Sequence, residues 1–282
     1  MTRTILITGA TGQQGGATLR HLAGKGFALR ALTRTPEGDK ARVLADAGVE
    51  VVRGDLNDAD SLRSALAGAW GVFAVQNTWE AGVEGEEEQG KRIARLAREA
   101  GVHHYVYTSV GSADRQTGIP HFDNKFRIEQ TIRELAFPST VILRPVFFME
   151  NMVSPWFLNG DKILAALDPA TRLQMIAVED IGVFGALAFT QAERLSGREI
   201  DIAGDAVTMP EATAVLSRAL GRELTFVRLP IEDVRRNSDD FAAMLEWFDR
   251  VGYDADITGL QGEFGVRLQT FEQWASTLTG AR

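Results

Sequence analysis

Short apolar runs alternate with longer amphipathic stretches through the first half of the chain. The apolar runs have the length and β-branched content of buried strands, and the amphipathic stretches have helical periodicity. Strands are predicted over residues 4–8, 28–33, 50–53, 71–75, 104–108 and 140–144. Helices are predicted over 17–22, 36–47, 58–66 and 122–135, with one further long helix before residue 100. This alternation predicts a parallel sheet with helices on both faces, in the doubly wound strand order 3-2-1-4-5-6.

The pattern loosens after Pro145. Residues 151–173 show no regular period, and the remaining predicted elements are helices over 179–190, 209–220 and 270–278 and a strand over 198–203. No linker rich in proline or glycine separates the halves. We therefore predict an α/β fold with a doubly wound domain over 1–145. A smaller α+β lobe over 146–282 covers the ligand-binding edge of the sheet, and part of it returns to the sheet.

Charge and composition narrow the classes of function. The chain has 282 residues, a formal net charge of −8 and no cysteine. Negative charge disfavours a nucleic-acid partner, and the lack of cysteine excludes disulfides and thiolate chemistry. The first predicted strand begins too early for a signal peptide, and no apolar run is long enough to span a bilayer. A cytoplasmic protein without a membrane partner is expected.

A glycine-rich run, residues 9–16, lies between the first predicted strand and the first predicted helix. A helix N-terminus presents free N–H groups and a positive dipole end, so this arrangement predicts a diphosphate site. Gly9 permits the turn, Gly12 admits the phosphates closely, and Gly15 lets the helix pack on the strand. The loop also supplies Thr11, Gln13 and Gln14 as candidate dinucleotide contacts.

The second predicted strand ends in Thr33-Arg34-Thr35. NAD-binding folds usually carry an acidic residue here, on the ribose hydroxyls. The guanidinium of Arg34 is suited to a 2′-phosphate, and Lys40, one turn into the next predicted helix, is a second basic candidate. The alternative is a surface arginine on a loop. The sequence predicts NADP in preference to NAD.

The glycine run resembles the motif of the NmrA-like family, an atypical branch of the short-chain dehydrogenase/reductase superfamily. Residues 54–56, 107–109, 120–125 and 144–151 extend the resemblance along the chain. The resemblance implies a Rossmann fold that binds NADP. The family includes redox sensors that regulate transcription factors, and it is similar to quinone oxidoreductases and phenylpropanoid reductases.

The resemblance also implies further cofactor contacts. Asp55 would accept from the adenine amino group, with Leu56 packed on the ring, although Asp55 also suits a turn. Gln76 and Asn77 would lie beside the adenosine ribose. The matching motifs add Ser109, Pro145 and Phe148 to the cofactor-binding set.

The proton-transfer pair of the superfamily, Tyr-x-x-x-Lys, is replaced here by His121 and Lys125. Tyrosine and lysine one helical turn apart share a face, and the lysine lowers the pKa of the phenol. Histidine can donate a proton but does not reproduce that pair. Lys125 is expected either to hold the nicotinamide ribose or to lie on a helix surface, and His121 to act in catalysis or in structure. Reduction of a carbonyl by the usual route is therefore doubtful.

Other conspicuous side chains have both a structural and a functional interpretation. The acidic run Glu86-Glu87-Glu88 suggests a solvated helix turn rather than a metal site. Phe147, Phe148, Met149 and Trp156 could cover the nicotinamide or could simply pack between lobes. Adjacent histidines on a strand point to opposite faces, so His103 and His104 do not form a metal pair.

Two functions follow from these observations. The first is an NADP(H) redox sensor that acts through a protein partner, because the nucleotide motif lacks the usual tyrosine. The alternative is an NADPH-dependent oxidoreductase of quinones or similar acceptors, since a quinone needs less help from an enzymic acid. Direct DNA binding is disfavoured by the charge. The acceptor, the partner and the oligomeric state remain open.

Overall fold

The computed structural model describes residues 2–278, so Met1 and residues 279–282, at the ends of the two predicted domains, lie outside it. The chain forms two compact units. The first comprises the described residues up to Ala113, then His121–Arg144 and Ile181–Ile200. The second comprises Asp114–Pro120, Pro145–Asp180 and the described residues from Asp201 onward.

The strands, in chain order, are β1 (Thr4–Ile7), β2 (Ala28–Thr33), β3 (Glu50–Arg53), β4 (Gly71–Ala74), β5 (His104–Thr108), β6 (Ser139–Pro145), β7 (Phe147–Phe148), β8 (Leu158–Asn159), β9 (Lys162–Ala165), β10 (Leu173–Ile176), β11 (Arg198–Ile202), β12 (Asp205–Val207) and β13 (Thr225–Arg228). The helices are α1 (Gln13–Leu22), α2 (Asp39–Asp46), α3 (Ala59–Leu66), α4 (Thr78–Glu99), α5 (Pro120–Glu134), α6 (Val178–Thr190), α7 (Ala192–Leu195), α8 (Met209–Leu220), α9 (Ile231–Arg235), α10 (Asp239–Arg250), α11 (Ile257–Phe264) and α12 (Phe271–Ser276).

A seven-stranded sheet within residues 2–278 has the order β11-β6-β5-β4-β1-β2-β3. Strands β1 to β6 are parallel, with Ile5 paired to Leu29 on one side and to Gly71 on the other. The predicted doubly wound order is confirmed. All parallel strands therefore end at one edge, where ligands bind in such sheets.

Helix α1, which follows the glycine run, is held from behind by α6. A Cβ atom on Gly182 would lie 2.7 Å from Cβ of Ala17, and one on Gly185 would lie 2.8 Å from Cγ2 of Thr18. These two helices therefore pack with almost no side chain between them. The close contact fixes α1, and with it the loop at its N-terminus.

The second unit contains two three-stranded sheets within its described residues, with orders β12-β10-β7 and β13-β9-β8. The prediction that residues 151–173 are irregular is wrong, because β8 and β9 lie there. Helix α8 begins with a capping box between Thr208 and Glu211 and ends at the left-handed Gly221, with φ of 63°. No helix of residues 2–278 is both long and apolar enough to cross a membrane.

His104 lies on β5 with no exposed surface, so its imidazole should make the fold sensitive to acid. Nε2 donates to the carbonyl of Ala188 at 3.0 Å, and Nδ1 therefore accepts from Oγ of Ser139 at 2.8 Å. Burial lowers the pKa of His104 from 6.5 to about 4. Between pH 6.5 and about pH 4, His104 is protonated in the unfolded chain but stays neutral in the folded chain. The free energy of unfolding therefore decreases as the pH falls through this range.

The expected loss from this residue is on the order of 3 kcal/mol between pH 7 and pH 4. Urea unfolding of the His104→Gln variant at several pH values should show a shallower acid slope than the wild type. The exposed His103, replaced in the same way, is the control. Equal slopes for His104→Gln and wild type would contradict the assignment.

Candidate functional site

The glycine run forms an exposed turn between β1 and α1. The amide of Gly12 donates to the carbonyl of Gly9 at 2.9 Å, and Gly9 has φ of 58°. Helix α1 begins at Gln13 without a side-chain cap, and Gly9, Gly12 and Gln13 are exposed. Thr11 and Gln14 are half-buried beside them. The predicted order of strand, glycine turn and helix is therefore present, and the uncapped helix N-terminus suits an anion.

Gly15 is where the helix lies closest to the strand. A Cβ atom here would lie 2.5 Å from the carbonyl oxygen of Thr8 and still closer to that of Gly9. At Gly9 a Cβ atom would lie 2.7 Å from Cγ1 of Val75. Both positions require glycine on steric grounds, and the backbone near Gly12 remains open to a ligand.

The ends of β1, β4 and β5 are joined directly to this turn. Oγ1 of Thr8 donates to the carbonyl of Val75 at 2.9 Å and accepts from its amide at 2.8 Å. Oγ1 of Thr108 donates to Oε1 of Gln14 at 2.6 Å. The hydrogen bond orients Gln14, so its side chain is partly committed within the protein.

Two polar side chains at this edge lack partners. Gln76 follows β4 with 6% of its surface exposed, and Ser109 follows β5 with 4% exposed. Neither the Gln76 amide atoms nor Oγ of Ser109 has a hydrogen-bond partner among the described residues. Unpaired buried polar groups cost about 1–3 kcal/mol each, so a ligand that satisfies them would be favoured.

The ends of β2 and β3 carry basic side chains that are already paired. Arg34 is exposed and forms an ion pair with Glu80, at the start of α4. Arg53 forms an ion pair with Glu37 and donates to the backbone carbonyl of Arg34 at 2.8 Å. Lys40 is exposed on α2. Arg34 therefore lies at the end of β2, where a 2′-phosphate contact was predicted, and it is paired with the carboxylate of Glu80.

Asp55 and Leu56 follow β3. The amide of Asn57 donates to Oδ1 of Asp55 at 2.8 Å, which makes the predicted turn. Leu56 is half-buried and packs on the core between the sheet and α3, so only part of its side chain is available to a ligand. Asp58 is the N-cap of α3, and its Oδ1 accepts from the amide of Asp60 at 3.0 Å.

Asn77 is the N-cap of α4. Its Oδ1 accepts from the amide of Trp79 at 3.1 Å, and the backbone leaves helical geometry again at Gly82, with φ of 76°. The side chain predicted to lie beside a ribose therefore caps the helix in this structure. Residues 78–81 form one helical turn between two breaks.

Lys125 and His121 lie one turn apart on α5, and both contact the beginning of α4. Nζ of Lys125 donates to Oε1 of Glu86, with 11% of the lysine side chain exposed. The ring of His121 lies 5.4 Å from that of Trp79, and His121 is 7% exposed. The structure therefore brings the two candidate residues together but places neither on a free helix surface.

The prediction that Glu86 lies in a solvated turn is wrong. Its side chain is fully buried, and Oε2 accepts from Oγ1 of Thr78 and from Nδ2 of Asn124 at 3.0 Å. Burial by itself raises the pKa of Glu86, but the charge of Lys125 and these hydrogen bonds hold it below its usual range. Glu86 is an ionised anchor for Lys125, and sequence reasoning missed it. Its spacing from Gly90, Ile93 and Ala97 on the buried face of α4 was the available signal.

Tyr105 and Tyr107 do not have the exposure that a catalytic phenol needs. Tyr105 and Tyr107 point into the core with no exposed surface, and burial raises the pKa of both. Burial also raises the pKa of Tyr253 in the second unit. These phenols are poor proton donors to a ligand.

The remaining predicted residues belong to the second unit. Pro145 is buried at the end of β6, and Phe148 is half-buried on β7. Phe147 packs on Phe157 and Met149 is fully buried, as expected for core packing, whereas 71% of Trp156 is exposed. No group of three acidic or histidine side chains within residues 2–278 could hold a metal ion.

Comparisons with known proteins agree with this fold. The model of the NmrA-like family matches residues 1–275. A (4-alkanoyl-5-oxo-2,5-dihydrofuran-3-yl)methyl phosphate reductase of Streptomyces griseus is 34% identical over 82% of this chain and 79% of its own.

Solved structures match over nearly the full length. An NADPH-dependent quinone oxidoreductase from Escherichia coli is 25% identical, with a TM-score of 0.80 over 97% of this chain and 99% of its own. The negative transcriptional regulator NmrA in complex with NADP is 21% identical, with a TM-score of 0.79 over 99% of this chain and 96% of its own. A complex of NmrA with NAD has the same fold, at a TM-score of 0.80.

Proposed function

The chain belongs to the NmrA-like family, and we propose that it binds NADP(H) at the carboxyl edge of its parallel sheet. The observation that carries the proposal is the glycine turn at an uncapped helix N-terminus. The unpaired buried atoms of Gln76 and Ser109 at the same edge support it, because a dinucleotide could satisfy them. NmrA, which shares the fold, binds both NADP and NAD.

We assign separate parts of the dinucleotide to separate residues. The turn at Gly12 would receive the diphosphate, and Arg34 would pair with the 2′-phosphate. Lys125, held by Glu86, would donate to the nicotinamide ribose with the N–H groups that Glu86 does not use. Asp55 and Asn77 would bound the adenosine end.

The proposed reaction is reduction of a quinone or similar conjugated acceptor. The Streptomyces griseus reductase, at 34% identity, and the Escherichia coli quinone oxidoreductase, at 25%, support reduction as the class of reaction. A reduced nicotinamide bound there would supply a hydride to the acceptor, and water would supply the proton that completes the product. The buried tyrosines favour an acceptor that needs no phenolic acid, since a hydroquinone anion is stable on its own.

A redox sensor is the second candidate, favoured by the same burial of the tyrosines. An assay of the full chain that follows the loss of NADPH absorbance separates a reductase from a sensor. The acceptors to be tested are quinones, furanones and triphenylmethane dyes. Turnover of any acceptor supports the reductase. Silence on all of them, together with a protein partner captured with one redox form only, supports the sensor, and silence with no such partner rejects both.

Arg34→Gln should lower the affinity for NADP⁺ about 10–100-fold and change that for NAD⁺ by less than about threefold. A charged hydrogen bond contributes about 1.5–3 kcal/mol, and only NADP⁺ carries the phosphate that receives it. Isothermal titration of both dinucleotides measures the ratio. Arg42, exposed on α2 and paired to Asp39, is the control position. Equal losses for both dinucleotides would reject the assignment of Arg34.

A further inference from the structure

The carboxylate of Glu80 forms an ion pair with the guanidinium of Arg34, the group that the proposed function assigns to the 2′-phosphate. Oε1 of Glu80 accepts a hydrogen bond from Nη2 of Arg34, across 46 positions of sequence. Within residues 2–278 this carboxylate has no other hydrogen-bond partner. The helix does not need it as a cap, because Asn77 caps α4 with its own side chain. Glu80 is therefore free to act on whatever binds Arg34.

Arg34 lies in acidic surroundings. The hydrogen bond and the charge of Glu80 raise the pKa of Arg34, and the charge of Asp55 adds to this effect. Arg53, which donates to the backbone carbonyl of Arg34, forms an ion pair with Glu37. Both of these arginines therefore already have a carboxylate partner.

The Arg34–Glu80 pair is also easy to exchange. The two side chains are 62% and 54% exposed, and an ion pair in water contributes little to stability. A ligand can therefore displace Glu80 without a large structural cost. The displaced carboxylate nevertheless stays nearby, because one short turn between Asn77 and Gly82 carries it.

We infer that Glu80 is a specificity-determining residue that competes with the 2′-phosphate for Arg34 and thereby limits the preference for NADP over NAD. The inference rests on the proposed function. The 2′-phosphate must displace the carboxylate or lie beside it, and like charges repel in both arrangements. A 2′-hydroxyl carries no charge and can donate to the carboxylate, so NAD avoids this cost.

Glu80→Gln keeps the size of the side chain and removes its charge. We expect the affinity for NADP⁺ to rise about 3–10-fold, as one unit charge a few ångströms away in a solvated site implies. The affinity for NAD⁺ should stay equal or fall up to about threefold. Isothermal titration of the full chain with each dinucleotide gives the ratio. The gain for NADP⁺ should shrink in 1 M salt, where the screening length is about 3 Å.

Glu84→Gln is the matched control. Glu84 is exposed on the same helix, four residues further on, and its charge acts on Arg127. Both variants change the net charge equally. If Glu84→Gln raises the NADP⁺/NAD⁺ ratio as much as Glu80→Gln, the effect belongs to net charge and the inference is overturned.

The double variant Arg34→Gln/Glu80→Gln separates this inference from the proposed function. Without Arg34 to compete for, the loss of Glu80 should change the ratio by less than about twofold. A wild type that binds neither dinucleotide rejects the proposed function itself. A wild type whose selectivity depends on Arg34 but not on Glu80 rejects the inference alone.

Discussion

Glu86→Gln should lower the free energy of unfolding by about 3–5 kcal/mol, because it leaves the ammonium of Lys125 without its buried partner. Glu86 has no exposed surface, and the lysine side chain is 11% exposed. An ammonium in such a place has no counter-ion and little contact with water, which is costly. Urea unfolding at pH 7 measures the loss.

Glu87→Gln is the matched control. Its carboxylate pairs with Lys91 at 2.6 Å and with Arg127 at 2.7 Å, but 19% of the side chain is exposed. Lys91 and Arg127 are partly exposed, so water can solvate them after the carboxylate is removed. We therefore expect a loss of stability below about 1 kcal/mol. Comparable losses at the two adjacent glutamates would show that burial does not make the Glu86 pair special.

The double variant Glu86→Gln/Lys125→Met removes both charges together. It should be clearly more stable than the sum of the two single changes implies, because no isolated charge remains buried. The folded double variant then isolates the proposed role of Lys125. Dinucleotide binding several-fold weaker than wild type would support a ribose contact, and unchanged binding would limit Lys125 to a structural role.

The strands of the large sheet could be predicted because each is marked by residues that are adjacent in the sequence. Strands β2, β3 and β5 have the predicted bounds, since each is a short apolar run between polar turns. The handedness of the crossovers then leaves few strand orders, and the observed one follows. Helix α8 also has the predicted bounds, 209–220.

The second unit was harder for a physical reason. Strand β8 has two residues and β9 has four, which is too short for a period of two to show. Their pairing depends on contacts distant in sequence, such as that of β9 with β13, more than sixty residues away. No local pattern encodes such a pairing.

At the candidate site, the sequence predicted the glycine turn but not the partners of the candidate cations. It singled out Arg34 and Lys125, but it did not indicate that a carboxylate meets each of them. Glu80 and Glu86 come from the same helix start, and their distance from Arg34 and Lys125 is set by the sheet rather than by sequence spacing. Burial of Glu86 reverses the usual expectation for an acidic run.

Gly15→Ala should weaken the binding of NADP⁺ and NAD⁺ alike, by tenfold or more. The added Cβ atom would lie 2.5 Å from the carbonyl oxygen of Thr8 and closer to that of Gly9. Backbone atoms cannot rotate away, so α1 must shift from β1 and carry the turn with it. We also expect a loss of about 1–3 kcal/mol in the free energy of unfolding. Isothermal titration and urea unfolding measure the two effects.

Gly16→Ala is the control, one residue along the same helix. Its Cβ atom would lie 3.2 Å from the carbonyl oxygen of Ala10, a distance that a small adjustment relieves, and alanine favours the helix by about 1 kcal/mol. We expect both affinities within about threefold of wild type. Since the diphosphate is common to both dinucleotides, damage at Gly15 should leave their ratio intact, whereas changes at Arg34 and Glu80 should alter it. A Gly15→Ala variant that changed the ratio instead would place the diphosphate away from this turn.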